Sequence, residues 1–336
     1  MEKYLIHSFE TYTREPIIRR LKSGVLICTF LTGGEYDPLN ENHVQYCKSY
    51  DDGKTWTEPK VMFKHSLKGT WCSEIFTECE KPFAVIATYD QNSHYRELET
   101  FYSYCDDDGE NWTEPVSFKG HINGCSLRQG IRLSNNNILF PVYWQETCKG
   151  FDLSKSNFPP KPYPYPFPFR SGVAISEDNG ETYKRYGYLY TENVLWEPNC
   201  VELEPGHIIM YARAGIPDMY TAESFDYGRT WTEAKVSGIP NCDTKITLIK
   251  VRDKILLINN FGADMNKDGE AFRYDLCIYI STDGKNFKYV TNLEDKNEIY
   301  YYPHAYADDN QSILYVAYEN SRQHWLKKFT YEELGI

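Results

Sequence analysis

Five copies of one short turn motif constrain the fold more than any other feature of this sequence. Each copy follows a strand-like run and approximates the pattern Ser-x-Asp-x-Gly-x-Thr-Trp. The clearest copies begin at Ser49 and Ser224, a third begins at Ser176, and two degenerate copies begin at Cys105 and Ser281. In such a turn the Asp accepts hydrogen bonds from backbone N–H groups, the Gly supplies a positive φ, and the aromatic ring packs against the sheet.

The spacing of these turns predicts the architecture. They recur about every 50–70 residues, which is typical of a β-propeller with one turn in each four-stranded blade. The 336 residues of the chain are enough for about six blades. Alternating apolar runs such as 25–30 and 313–318 favour strands, and no segment has sustained helical periodicity. We therefore predict an all-β, six-bladed β-propeller that occupies residues 1–336 as a single domain.

One segment interrupts the repeats. Between Phe158 and Phe169, proline alternates with aromatic residues, and this composition is typical of an extended, polyproline-like conformation. We predict a loop insertion at residues 155–170, in the longest interval between turns. A surface loop, a wall of a substrate cleft and a subunit contact all fit this composition, and the oligomeric state is left open.

The charge balance limits the partners that we expect. Lys and Arg number 36 and Asp and Glu number 48, giving a formal net charge of −12, which argues against nucleic acid and against a membrane surface. A local arginine cluster would still suit a small anionic ligand. The sequence has no metal-ligand spacing, so we expect no metal and no cofactor. Because no signal peptide is visible, we expect a cytoplasmic protein, or a secreted one if a leader was trimmed.

Charged and aromatic residues near the starts of strand-like runs are the candidates for chemistry. In a propeller, the innermost strand of each blade brings side chains to one end of the central channel, so the residues of a site come from distant parts of the sequence. The main candidates are Arg14, Glu197, Arg213, Arg273 and Tyr302.

This combination resembles the sialidases (neuraminidases), a superfamily of six-bladed propellers with Asp-box, or BNR, repeats. The resemblance rests on the repeated turns, on the Arg-x-Pro start at Arg14, and on the Glu-Pro strand at Glu197 that is followed by Arg213, and it spans about residues 14–325. It implies a retaining exo-glycosidase that releases a terminal sialic acid or a related 2-keto acid sugar from glycans.

The resemblance also implies a role for each candidate. Arg14, Arg213 and Arg273 correspond to the three arginines that bind the sugar carboxylate, and planar guanidinium groups suit such bidentate contacts. Tyr302 corresponds to the nucleophile and Glu197 to the glutamate that activates it. A neutral tyrosine avoids the repulsion that an anionic nucleophile would meet from the carboxylate on the reacting carbon.

The acid/base aspartate of the family is implied at Asp37, with Glu35 as a rival acid. Other side chains are weaker candidates for contact with the sugar because only their place near strand ends supports them. These are Arg128, Gln129, Trp144, Gln145 and His304.

Two departures from the family pattern leave alternatives open. Glu15 stands where the family usually has an aliphatic residue, and His304 follows Tyr302 by two positions. A second interpretation is therefore a hydrolase or lyase acting on a uronic-acid-containing oligosaccharide, with His304 and Tyr302 as base and acid. A third is a non-catalytic glycan-binding propeller, which predicts that Tyr302→Phe changes no measurable property.

Overall fold

A computed structural model describes residues 2–93, 95, 98–106, 108–120, 122, 124–145, 169–191, 193–261, 273–296 and 298–336. Within these residues the strands form six antiparallel sheets, five of them four-stranded and one with a fifth short strand. The sheets are the blades of a β-propeller, so the predicted all-β, six-bladed fold is confirmed. In blades 1 to 5 the first strand along the chain is the innermost one. Blade 6 differs because the N-terminal strand of the chain forms its outer edge.

Blades 1 to 3 follow one another along the chain. Their strands are β2 (Thr13–Arg20), β3 (Leu26–Thr32), β4 (His43–Ser49) and β5 (Lys60–Phe63) in blade 1, β6 (Gly69–Phe76), β7 (Phe83–Tyr89), β8 (Glu99–Tyr104) and β9 (Val116–Ser117) in blade 2, and β10 (Ser126–Leu127), β11 (Ile131–Arg132), β12 (Ile138–Gln145), β13 (Phe169–Ser176) and β14 (Lys184–Leu189) in blade 3. A short 3₁₀-helix (Gln91–Ser93) follows β7. Of the loop predicted at 155–170, residues 155–168 lie outside the described residues, and 169–170 begin β13.

Blades 4 to 6 complete the ring. Their strands are β15 (Leu195–Glu204), β16 (His207–Ala214), β17 (Asp218–Ser224) and β18 (Lys235–Pro240) in blade 4, β19 (Thr247–Val251), β20 (Lys254–Asn260), β21 (Leu276–Ser281) and β22 (Lys288–Asn292) in blade 5, and β23 (Tyr301–Asp308), β24 (Ile313–Glu319), β25 (Gln323–Thr330) and the N-terminal β1 (Glu2–Ser8) in blade 6. A single turn of helix, α1 (Tyr331–Leu334), follows β25. Among the described residues, no helix has the length and apolar character needed to span a membrane.

The Asp-box turns have the contacts that the motif predicts. In the copy at Ser224, Asp226 accepts hydrogen bonds from the Thr230 backbone N–H (2.8 Å) and hydroxyl (2.6 Å), and the Trp231 indole donates to the Gly228 carbonyl (2.8 Å). Gly228 has φ +87°, and a Cβ there would meet Leu139 and Ile175 of blade 3. Each such turn therefore closes its own hairpin, and this one also packs against the preceding blade.

In the degenerate turn at Cys105, a neighbouring aspartate makes the hydrogen bonds of the motif. The motif pattern places its aspartate at position 107, yet the carboxylate of Asp106 accepts from the Glu110 N–H (3.0 Å) and from the Asn111 side chain (2.6 Å). Trp112 still donates to the Gly109 carbonyl at 3.1 Å. The hydrogen-bonding requirement of the turn thus tolerates a change of position within the motif.

A second repeated irregularity lies on the channel side of the blades. Register shifts interrupt β2, β15 and β23 within a few residues of their starts. The residue at each shift has a positive φ, namely 60° at Glu15, 45° at Glu197 and 55° at Tyr302. Bulges re-aim side chains and are frequent beside functional sites, where such backbone strain is retained. We call these three positions the inner-strand bulges.

Candidate active site

Two of the inner-strand bulges meet at one guanidinium group. Arg213, on β16, donates from Nη1 to Glu197 Oε2 at 2.8 Å and to Tyr302 Oη at 3.2 Å. The carboxylate and the phenol hydroxyl therefore lie within hydrogen-bonding distance of the same nitrogen, although blades 4 and 6 supply them. All three residues are buried.

The other two predicted arginines also lie against Tyr302. The guanidinium carbon of Arg14 is 4.3 Å from the centre of the Tyr302 ring, and that of Arg273 is 5.3 Å from it. Arg14 comes from β2 of blade 1, and Arg273 precedes β21 of blade 5. The three guanidinium groups thus converge on one phenol ring, as a binding site for a carboxylate requires.

Asp243 links two of these arginines. Its Oδ1 accepts a hydrogen bond from Arg213 Nε at 2.8 Å, and its carbonyl accepts one from Arg273 Nη2 at 3.3 Å. Because the carboxylate offsets part of the charge of Arg213, two cations can be held close together in a buried site. Burial opposes ionisation of Arg213, but Asp243 and Glu197 outweigh it and keep its pKa well above the ordinary value.

Asp37 lies at the rim of the cluster, in the loop after β3. Its Oδ1 accepts from Arg14 Nη1 at 2.7 Å and from the Tyr12 hydroxyl, and its Oδ2 accepts from the Tyr95 hydroxyl at 2.6 Å. The side chains of Arg14 and Asp37 are 19% and 15% exposed, against 10% and 8% for Arg213 and Glu197. The pocket is therefore more open to solvent on the Arg14 side.

The balance of burial and charge shifts the pKa values of the acid and of the phenol in opposite directions. Burial would raise the pKa of Glu197, but Arg213 and Arg128 outweigh it and lower that pKa to about 2. Burial raises the pKa of Tyr302, with Arg14 opposing this effect and Glu197 adding to it. Near neutral pH, the pair is therefore a carboxylate beside a neutral phenol, the state that a tyrosine nucleophile and its base need before reaction.

The third inner-strand bulge carries a charge cluster of its own. Glu15 forms an ion pair with Arg128 and lies 3.7 Å from Lys245 Nζ. Lys245 is 5.9 Å from the centre of the Tyr302 ring, and burial lowers its pKa to about 8. Predicted residue Arg128 is thus beside the site, where its charge acts on Glu197, but its guanidinium is bound to Glu15.

Glu319 is a buried carboxyl group behind Arg14. It ends β24, is fully buried, and its Oε2 accepts from the Ser321 backbone N–H. Burial raises its pKa to about 8, against the opposing effect of Arg14 and Arg273. Below neutral pH, Glu319 is therefore protonated and adds no negative charge to the site.

Three of the weaker candidates lie apart from the arginine cluster. His304 is 1% exposed, accepts from the Ile18 N–H at 3.2 Å and has a pKa far below the ordinary value, because burial disfavours its charge. Gln129 faces a cavity of about 1000 Å³ at the far end of the channel. Trp144 stacks on Arg185 at 4.1 Å inside blade 3. None of these three contacts the cluster described above.

Two further predicted residues lie at the edges of the described structure. Glu35 is exposed in the loop that carries Asp37, and Gln145 ends β12 where the described residues stop. Glu35 takes part in none of the contacts that hold Arg14 and Asp37 together. Of the two candidate acids, Asp37 is therefore the one that the fold brings to Arg14.

Sequence reasoning missed five residues of the site: Asp243, Lys245, Glu319 and the hydroxyl donors Tyr12 and Tyr95. A signal existed for Glu319, since a lone carboxylate ends the apolar run of β24 and such residues are rarely buried without a reason. The others precede or follow strands in turns, where charged residues are common. Among the described residues, no three His, Cys, Asp or Glu side chains are grouped closely enough to hold a metal ion.

Comparison with known proteins finds a family match and similar folds. A model of the BNR repeat-like domain matches residues 83–316. A sialidase from Bacteroides fragilis (strain YCH46) is 25% identical over 194 residues, which are 53% of this chain and only 31% of that protein's length. The family match includes Glu197, Arg213 and Tyr302 and begins after Arg14 and Asp37.

Solved structures extend the likeness to nearly the whole chain. A Hadza microbial sialidase superposes with a TM-score of 0.75 at 18% identity, over 96% of this chain and 66% of its own. Trypanosoma rangeli sialidase, solved with 2,3-difluorosialic acid as a covalent intermediate, gives 0.67 at 18% identity, over 99% of this chain and 56% of its own. At such identities the superpositions show a shared fold. The match over residues 83–316 shows that this chain belongs to the BNR repeat-like domain family.

Proposed function

We propose that this protein is a retaining exo-glycosidase of sialidase type, which releases a terminal sialic acid or a related 2-keto acid sugar from a glycan. The observation that carries the proposal is the hydrogen bonding of Arg213 Nη1 to both Glu197 and Tyr302. Arg14 and Arg273 beside the same ring complete a pocket for one carboxylate. That pocket fits a sugar whose reacting carbon carries a carboxylate.

In the first step Tyr302 Oη attacks the anomeric carbon and its proton passes to Glu197. Asp37, protonated, gives its proton to the glycosidic oxygen as the bond from that oxygen to the anomeric carbon breaks. The sugar is then bound covalently to Tyr302, and the aglycone leaves with the proton from Asp37. The arginines hold the carboxylate in place while positive charge develops on the ring.

In the second step Asp37 takes a proton from water as the water oxygen attacks the anomeric carbon. The bond to Tyr302 Oη breaks, and the phenol regains its proton from Glu197. Two displacements at one carbon give net retention of configuration. All groups return to their starting protonation states.

The shared contact with Arg213 also explains how a carboxylate with a pKa of about 2 can serve as base. When the proton moves, negative charge passes from Glu197 to Tyr302, and both oxygens are bound to the same guanidinium. Arg213 therefore stabilises the charge before and after the transfer. The transfer costs less than the separate pKa values of a carboxylic acid and a phenol suggest.

Hydrolysis of a fluorogenic α-sialoside tests the proposal. We expect turnover by the wild type and a loss of about 10³-fold or more in kcat for Tyr302→Phe. Tyr300→Phe is the matched control, because Tyr300 packs on Tyr318 outside the cluster, and it should keep wild-type rates.

Two outcomes of this experiment would contradict the proposal. Binding of sialosides without turnover by the wild type would favour a non-catalytic glycan-binding propeller. Turnover of a uronide with an unsaturated product would favour a lyase, although the burial of His304 removes the base that this alternative needs.

A further inference from the structure

One arginine of the pocket, Arg14, already holds a carboxylate. Asp37 occupies Arg14 Nη1 at 2.7 Å and also accepts from the hydroxyls of Tyr12 and Tyr95. Arg14 Nε, in contrast, is buried and has no hydrogen-bond partner among the described residues. A carboxylate ligand that binds bidentately to the two Nη atoms of Arg14 would compete with Asp37 for Nη1.

The same contacts keep Asp37 in the wrong state for a general acid. Burial would raise its pKa, but the charge of Arg14 and the hydroxyls of Tyr12 and Tyr95 outweigh it and hold the pKa below the ordinary value. Without a ligand, Asp37 is therefore an anion at neutral pH and has no proton to give to a leaving oxygen.

The other titratable groups around Asp37 do not change this state. They come from β7 and β24: Tyr89, whose hydroxyl bonds to Asn42, and Glu319. With its pKa raised to about 8 by burial, Glu319 is neutral at pH 6. Arg14 is thus the group on which the charge state of Asp37 depends.

We propose that the carboxylate of the substrate displaces Asp37 from Arg14, and that Asp37 then takes up a proton from solvent and becomes the general acid. Once displaced, Asp37 keeps its buried site, loses its counter-ion and faces a second carboxylate, and all three conditions favour its neutral form. Tyr12 and Tyr95 can still bond to it, because a hydroxyl both donates and accepts.

This displacement makes the carboxylate a requirement of the chemistry as well as of binding, and it deepens the function proposed above, on which it rests. A glycoside without a carboxylate on its reacting carbon leaves the Arg14–Asp37 ion pair intact. Asp37 then stays ionised and the leaving oxygen receives no proton. Such a neutral analogue should fail mainly in kcat, even at concentrations that saturate the site.

Proton uptake on ligand binding tests the inference without turnover. The probe is 2-deoxy-2,3-didehydro-N-acetylneuraminic acid, a sugar that keeps the carboxylate but has no glycosidic bond to break. Titration calorimetry near pH 6, in two buffers with different ionisation enthalpies, gives the number of protons bound per ligand. We expect an uptake approaching about one proton for the wild type and near zero for Asp37→Asn.

Two further variants identify the source of the proton. Tyr302→Phe removes the nucleophile but not the Arg14–Asp37 pair, so it should take up as many protons as the wild type. Glu319→Gln should do the same, since Glu319 is already protonated near pH 6.

Failures of the two proposals are distinguishable in this experiment. Binding without proton uptake by the wild type, or with equal uptake by Asp37→Asn, overturns the displacement and leaves the proposed function standing. Absence of any binding by a wild type that also hydrolyses no sialoside overturns the proposed function itself.

Discussion

The Asp-box turns and the inner-strand bulges are both repeated breaks in regular strand structure, but they hold their side chains in opposite ways. In the turns, Asp226 and its equivalents bond to residues a few positions away. In the bulges, Glu15, Glu197 and Tyr302 adopt positive φ without being glycine and find their partners on other blades or strands. The turns stabilise the fold, while the bulges hold strained polar groups beside the proposed active site.

The largest expected effect falls on the bulge residue Glu197. Glu197→Gln removes the base but keeps the shape of the side chain, so kcat should fall by about 10²- to 10⁴-fold. Steady-state hydrolysis of a sialoside measures this, with Glu204→Gln at the exposed end of β15 as the control. An unchanged kcat would show that Glu197 has no part in the mechanism, and it would contradict a functional role for this inner-strand bulge.

The next effect concerns binding of the carboxylate. Arg273→Lys keeps the charge but loses the planar fork, and KM should rise by about 10- to 100-fold. Arg252→Lys, whose guanidinium donates to Ser312 at the far mouth of the channel, is the matched control. A KM unaffected by Arg273→Lys would show that the third arginine does not contact the substrate.

A smaller effect, on stability alone, is expected in the turns. Asp226→Ala leaves the Thr230 N–H and hydroxyl without their acceptor, and the free energy of unfolding should fall by about 1–2 kcal/mol. Urea unfolding measures this, and Asp226→Asn, which retains one acceptor oxygen, should lose less. Activity per folded molecule should not change. Loss of activity at full stability would contradict the division between turns and bulges.

The last expected effect is a pH dependence of stability from Glu319. Burial raises its pKa from 4.5 to about 8 in the folded protein, so the folded state keeps a proton that the unfolded chain releases. The stability that this proton confers is present at low pH and is lost as pH rises from about 4.5 through about 8. Urea unfolding at several pH values should show a smaller alkaline loss for Glu319→Gln than for the wild type. Parallel curves would mean that Glu319 is ionised when folded.

The sequence was a better guide to the turns than to the partners of the bulges. Each Asp-box is complete within eight residues, so its contacts follow from local chemistry, and even the shifted Asp106 keeps them. The same locality explains why blade 6 has no such turn: its outermost strand is β1, from the other end of the chain.

Side chains that meet only because the six blades close into a propeller were harder to predict. The roles suggested for Arg14, Glu197, Arg213 and Tyr302 came from the family resemblance, and the fold brings these residues together. Asp243 and Lys245 lie in the connection between blades 4 and 5, where they pair with Arg213 of blade 4 and Glu15 of blade 1. No local pattern indicates these pairings. Alternation along a bulged strand does not say which side chain faces the pocket, so the sequence could not place His304.

The most direct test of the account is the chemical identity of the residue that the sugar modifies. Incubation with 2,3-difluorosialic acid should break the bond from the anomeric carbon to fluorine, form a bond to Tyr302 Oη and release fluoride. Peptide mass spectrometry should then find the added sugar on the peptide that contains Tyr302, and find none in Tyr302→Phe. An adduct on another residue, or none in a wild type that hydrolyses sialosides, would contradict the claim that Tyr302 is the nucleophile.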